Sequence, residues 1–311
     1  MKLPGVFNTV SCSLFYSCMA LSSIDKINNV ASRNDGIAVI GCGVLGTSLC
    51  RQILKSSDFE GREVTGITKT SARHDIIRDA VGDNDSFRLI TYEEVKKQQK
   101  RFQDVVFCAP PSGFDDYAGA VHEVAKTIYL GGDGTMVFTS AGSVFGGQDG
   151  EVVNEQSPVV DTPRALKLLQ AEAACLEQGG LVLRLAGLYT LERGAHNYWL
   201  TSGKDVVGRA DGIINLLHYD DAAGACLKAL KEETEKSSIY LISDGNPLTR
   251  EQICISARKS ALYSDKTIPT FLGTNKDPKG KVYDGSWSNN SLNWKPKYFS
   301  FDSFMNQPQC Q

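Results

Sequence analysis

Ile37-Ala38-Val39-Ile40-Gly41-Cys42-Gly43-Val44-Leu45-Gly46-Thr47 is the stretch on which the fold turns. Its apolar, mostly β-branched start reads as a short buried strand, and the glycine run ends that strand. A helical stretch follows from Thr47 to about Ser56, turn residues Ser57-Asp58 close it, and Glu63-Val64-Thr65-Gly66-Ile67-Thr68 reads as the next strand. Strand, G-x-G-x-x-G loop, helix and strand therefore fall within ~30 residues, the context in which this glycine pattern signals a dinucleotide-binding unit. Gly41 would make the tight turn and Gly43 would let the backbone approach a pyrophosphate. Gly46 would let the helix lie close on the strand. The phosphates would meet the N–H groups of Val44, Leu45 and Gly46 at the helix N-terminus, where the dipole favours anions. A strand–turn–helix corner with no ligand has the same outline.

The end of the second strand bears on which nucleotide would bind. An NAD site would carry Asp or Glu there to accept the ribose hydroxyls, but Ile67-Thr68-Lys69-Thr70-Ser71-Ala72-Arg73-His74 reaches no acid until Asp75. Lys69 and Arg73 as cations, with Thr70 as a hydroxyl, suit a 2′-phosphate, so NADP(H) is expected over NAD(H). A solvated helix-entry loop would use the same residues.

Outward from this unit the alternation continues. Arg88–Ile90 is a minor strand, Tyr92–Phe102 a basic amphipathic helix and Asp104–Ala109 a buried strand stopped by Pro110-Pro111. In a doubly wound sheet that stop faces the cofactor, so Ala109, Pro110 and Pro111 are candidates to lie against the nicotinamide ribose; a rigid loop without ligand is the alternative. Tyr117–Tyr129 reads as a helix, Thr135–Ser140 as a strand, Arg164–Glu177 as a helix opened by Pro163, and Leu181–Tyr189 as a strand. The expected class is α/β: a doubly wound parallel sheet, with a small C-terminal substrate lobe built mainly from 190–306.

The 311 residues carry 33 basic and 36 acidic groups, net charge −3, which argues against broad electrostatic binding to nucleic acid or an anionic membrane. No stretch approaches the ~20 apolar residues of a membrane span. The nine cysteines form no C-x-x-C and no zinc-ligand spacing, so free buried thiols are expected and no metal site. Residues 1–34 stand apart. Six serines and a single acid, Asp25, precede Asn34, the composition of an organelle transit peptide. Scarce arginine favours the plastid over the mitochondrion. A secretory signal and a plain tail in a cytoplasmic protein are the other readings.

Taken in order, TSAGSVFG, EQSPV, the helix ending at Ala171-Glu172, LRLAGLY, HYDDAAGACLKAL, YLISDGNPLT and the closing Trp294-Lys295-Pro296 resemble the extended short-chain dehydrogenase/reductases, including the NAD-dependent epimerase/dehydratases. The similarity spans 36–306, and the GCGVLG loop is similar to an atypical branch that includes the bacterial YeeZ-like proteins. The resemblance implies an oxidoreductase on an unidentified carbonyl or hydroxyl compound, and it admits a homodimer. It also exposes departures. The polarising Ser or Thr falls on Ala141, and the Tyr-x-x-x-Lys falls on Arg164 and Leu168, in a helix without tyrosine; a slip of one residue would offer Lys167 for the lysine. Substitute groups are then Ser140 and Ser143 beside the lost hydroxyl, Arg164 as an oxyanion partner, and Tyr189 or His196 as acid. Ser140 and Ser143 have a plainer role as backbone partners at a strand end, and His196 as an ordinary loop residue. A catalytically inactive nucleotide-binding regulator or scaffold is the alternative function.

Overall fold

A computed structural model describes residues 36–232 and 234–307; the expected leader over 1–34 lies outside them. The chain runs β1 (Ile37–Ile40), α1 (Val44–Lys55), β2 (Val64–Thr68), α2 (His74–Val81), β3 (Phe87–Thr91), α3 (Tyr92–Gln98) and β4 (Asp104–Phe107). It continues through α4 (Tyr117–Thr127), β5 (Met136–Ala141), β6 (Val152–Val153), α5 (Pro163–Leu176), β7 (Leu181–Leu185) and β8 (Gly187–Tyr189). The remainder is α6 (Ala195–Thr201), β9 (Ile213–Ile214), β10 (Leu216–His218), α7 (Tyr219–Lys231), β11 (Ile239–Ile242), β12 (Leu248–Thr249), α8 (Arg250–Ala257), β13 (Val282–Tyr283), α9 (Ser286–Ser291) and α10 (Phe301–Met305).

Seven of the strands form one parallel sheet in the order β11-β7-β5-β4-β1-β2-β3. The period of two along β1 shows why both faces need cover. Ile37 and Val39 pack with Leu45, Leu49 and Ile53 of α1 and the alanines of α7, whereas Ala38 and Ile40 pack with α4 and α5 residues such as Val121, Val124 and Leu168. The chain moves outward one way from β1 through β2 to β3, then restarts at β4 on the other side of β1. The order reverses there, and the C-terminal ends of β1 and β4 border the crevice in which such sheets place ligands. The expected Rossmann-like class is what the structure has.

Two elements differ most from the sequence reading; beyond them, α1 begins at Val44 rather than Thr47 and β4 ends at Phe107 rather than Ala109. The helix from Tyr92 stops at Gln98 rather than reaching Phe102, because Gln99 turns left-handed at φ 49° and sends the fully buried Phe102 into the core against Tyr129. The run Leu181–Tyr189 is two strands. At Ala186 the backbone still bonds Ile242, but Gly187 bonds Asn215, so the chain leaves the sheet to pair with β10 in the C-terminal lobe. That lobe has its own core of Tyr189, Leu200, Ile253, Tyr263, Phe301 and Phe304.

Candidate functional site

The glycines of the β1–α1 loop meet three different surroundings. Gly41 has φ +88°, and a Cβ there would stand 2.3 Å from the Ala109 nitrogen and 2.4 Å from its Cα. Only glycine lets the end of β1 close on the end of β4. A Cβ on Gly46 would be 2.7 Å from the Gly41 carbonyl and 3.2 Å from Cys108 Sγ, so α1 lies tight on the loop. Gly43 is the opposite: it is exposed, and a Cβ would find nothing nearer than 3.9 Å. Gly43 caps α1 without any side-chain hydrogen bond, and the first turn holds no acid. The opening N–H groups of α1, on Val44, Leu45 and Gly46, lack intrahelical partners, and the dipole adds partial positive charge. An open, uncapped, acid-free helix start at the switch point fits the pyrophosphate of a dinucleotide. Beneath the loop, Cys42 Sγ lies 3.9 Å from Cys50 Sγ; that contact and then burial raise Cys50, burial raises Cys108, and all six described cysteines are free.

Lys69, Thr70 and Arg73 stand exposed just past β2. Thr68 Oγ1 donates to the Thr70 carbonyl at 2.9 Å and lies 2.7 Å from His74 Nε2. Lys69 Nζ reaches the Gly113 carbonyl at 3.2 Å, so the β2 end touches the loop after β4. That loop is held from two other sides. Lys167 Nζ donates to Pro111 O (3.2 Å) and Phe114 O (2.9 Å), and Tyr117 OH donates to Ala109 O (2.8 Å). Ala109, Pro110 and Pro111 are therefore fixed at the crevice rim, and Lys167 serves that loop.

At the β5 end the two candidate serines part ways. Ser140 is buried and donates to Glu172 Oε1 at 2.5 Å; Glu172 is in turn paired with Arg184, whose Nη2 is 2.7 Å from Oε2. Ser143 is exposed on the turn Gly142–Val144. Arg164 is exposed in the first turn of α5. His196 lies within α6 rather than a loop, 1% exposed, its Nε2 2.9 Å from Leu191 O, and burial lowers its pKa. Tyr189 ends β8 inside the lobe core, its ring centroid 4.9 Å from Phe301 and 5.3 Å from His218. It is 1% exposed there.

The Tyr189 hydroxyl and Asp244 Oδ2 are both buried with no hydrogen-bond partner among the described residues. Burial pushes Tyr189 far up, Asp244 to about 7 and Asp221 to about 6, and holds His218 down to about 4. For Asp244 the folded chain binds more protons than the unfolded chain between its ordinary value and about 7. This group's contribution therefore falls as pH rises through that window. Asp244→Asn is expected to raise the urea midpoint relative to wild type at pH 8 and to raise it less at pH 5. Equal differences at the two pH values would show that Asp244 does not titrate there.

Sequence reasoning passed over Tyr283, whose ring lies on Gly142. Nothing local in the sequence joins positions 141 residues apart. A lone tyrosine in a polar stretch carries no spacing signal.

No family model matches the chain, and no curated protein matches it in sequence. Solved structures are similar in fold. UDP-glucuronic acid 4-epimerase from Bacillus cereus, in complex with NAD, is 18% identical, with a TM-score of 0.68 over 87% of this chain and 96% of that one. dTDP-glucose 4,6-dehydratase from Bacillus anthracis, also with NAD, is 17% identical with a TM-score of 0.68 over 88% and 94%. WbmG from Bordetella bronchiseptica with NAD is 16% identical with a TM-score of 0.66 over 89% and 94%. The chain thus shares the architecture of NAD-dependent epimerases and dehydratases. Among the described residues, no helix is long and apolar enough to cross a membrane, and no cluster of metal-ligand type is found.

Proposed function

We propose that the chain is an NADP(H)-binding oxidoreductase of the atypical extended short-chain dehydrogenase/reductase type, close to the YeeZ-like branch, acting on a small carbonyl or hydroxyl compound. The observation that carries this reading is Gly43, an exposed glycine with open space where its side chain would be, at the uncapped start of α1. Gly41, Gly43, Val44, Leu45 and Gly46 would hold the pyrophosphate, and Ala109, Pro110 and Pro111 would border the nicotinamide ribose. Lys69, Thr70 and Arg73 would take the 2′-phosphate. When bound, the dinucleotide supplies two-electron chemistry at a carbonyl or alcohol carbon. The known NAD complexes of similar fold support a dinucleotide; the preference for NADP(H) rests on the cations and the missing acid after β2.

Two observations favour a second reading, a nucleotide-binding regulator without turnover. α5 contains no tyrosine, and Ser140 is committed to Glu172. The serine-rich leader supports import into a plastid, and self-association as a homodimer is compatible with the fold.

Calorimetric titration with NADPH, NADP⁺, NADH and NAD⁺ tests the cofactor assignment. NADPH is expected to bind at least ~10-fold tighter than NADH, the worth of one charge-assisted phosphate contact. The Lys69→Ala/Arg73→Ala variant is expected to lose that margin while still binding NADH. Equal affinities in the wild type contradict the NADP(H) preference, and absence of binding by every dinucleotide contradicts both readings.

A further inference from the structure

Tyr283, 141 residues after Gly142 in the chain, lies at the end of β5. β13 pairs in parallel with β6, and Asn215 clamps the approach: its Nδ2 donates to Lys281 O at 2.8 Å and its Oδ1 accepts from Tyr283 N at 2.9 Å. Lys281 Nζ donates to the Phe145 carbonyl, tying the same segment to the turn after β5. The phenol then lies directly on Gly142. A Cβ there would stand 2.6 Å from Cε2, 2.7 Å from Cζ and 2.8 Å from the hydroxyl, so glycine at 142 is what admits the ring. Phe145 flanks it edge-on at 6.4 Å.

Half-buried tyrosines ordinarily give their hydroxyl a partner. Tyr117 and Tyr263 donate to the carbonyls of Ala109 and Leu191, and Tyr129 to that of Gly134. Tyr283 OH makes no hydrogen bond to another described residue. Tyr283 is also among the residues that line a cavity of about 220 Å³, with Gly187, Ile214, Asn215, Gly280 and Lys281. Gly142 and Gly187 both follow C-terminal ends of sheet strands, the edge at which this architecture places its ligands.

We propose that Tyr283 is the proton donor of the site, entering from the C-terminal lobe in place of a tyrosine on α5. This rests on the oxidoreductase reading above. In the reduction direction a C–H bond forms at the substrate carbonyl carbon, with its hydrogen and two electrons drawn from a reduced nicotinamide dinucleotide, which is thereby oxidised. The C=O π pair moves onto oxygen, and that oxygen takes the Tyr283 proton. Water re-protonates the phenolate. Burial pushes the phenol up to about 12, so it holds its proton near neutral pH and yields it only to a stronger base, which the alkoxide formed on the substrate oxygen is.

The test uses the full chain labelled with 3-fluorotyrosine, the Tyr283 resonance being assigned as the one missing from Tyr283→Phe. That variant keeps the ring that packs on Gly142 and Phe145. NADP⁺ and NADPH complexes differ at the nicotinamide, so the Tyr283 ¹⁹F resonance is expected to differ between them. An identical resonance in the two complexes overturns the proposal. With 2,3-butanedione as carbonyl probe, Tyr283→Phe is expected to lower kcat at least ~100-fold, the contribution of a positioned acid, at unchanged dinucleotide Kd. A kcat within threefold of wild type overturns it too. Failure of the wild type to bind any dinucleotide overturns the underlying reading instead, which separates the two failures.

Discussion

Gly41→Ala is expected to destabilise the protein by about 2–4 kcal/mol, read as a lower urea midpoint, and to abolish dinucleotide binding. A residue with a side chain at φ +88° is strained, and its Cβ would fall inside the Ala109 backbone. The β1 and β4 ends must separate, and with them the crevice. Gly43→Ala has the opposite profile. A Cβ there meets no atom within 3.9 Å, so stability should stay within about 0.5 kcal/mol of wild type. Affinity should nevertheless fall at least ~10-fold, because the methyl occupies the space assigned to pyrophosphate. On the proposed reading, Gly41 is demanded by the fold and Gly43 by the ligand. A Gly43→Ala variant that unfolds, or that binds like wild type, would contradict this division.

Removing Glu172 is the second large effect. Glu172 and Arg184 are 2% and 4% exposed, with Arg184 Nε also 3.1 Å from Oε1, and the guanidinium carbon lies 4.6 Å from the Phe145 ring centroid. Glu172→Ala leaves a buried guanidinium without its carboxylate and Ser140 without its acceptor. The expected loss is about 3–5 kcal/mol in urea unfolding. Glu172→Gln keeps an acceptor and should cost less. Replacing Glu172 and Arg184 together by Leu and Met should cost less than Glu172→Ala alone, since no charge is then stranded. A Glu172→Ala variant as stable as wild type would mean that the pair contributes nothing net.

The parts of this molecule that could be read from sequence are those whose cause is local. IAVI followed by GCGVLG specifies a strand, a left-handed turn and a close helix within a dozen residues, and each glycine has the surroundings its position implied. The exposed cations after β2 were legible for the same reason. Element ends were less so. Helix α3 stops early because Phe102 is drawn into a core formed with Tyr129, and the break at Ala186 occurs because Asn215 offers a new strand partner. Neither cause lies within its own segment. The site beyond the loop shows the same limit. Ser140 beside the expected hydroxyl position gave no hint that Glu172 would hold it, and Lys167, one residue from the expected lysine, reaches the Pro111 loop. Tyr283 meets Gly142 only through the lobe's return to the sheet edge.

A dinucleotide's phosphates are proposed to sit on the open start of α1. The backbone amides of Gly43, Val44, Leu45 and Gly46 report on it directly. In ¹H–¹⁵N spectra of the assigned protein, adding NADP⁺ is predicted to shift these four resonances more than those elsewhere in the sheet or its helices, and Gly43→Ala is predicted to weaken that response. If NADP⁺ leaves these four amides unmoved, or binds while shifting only residues remote from them, the dinucleotide site is not the one proposed.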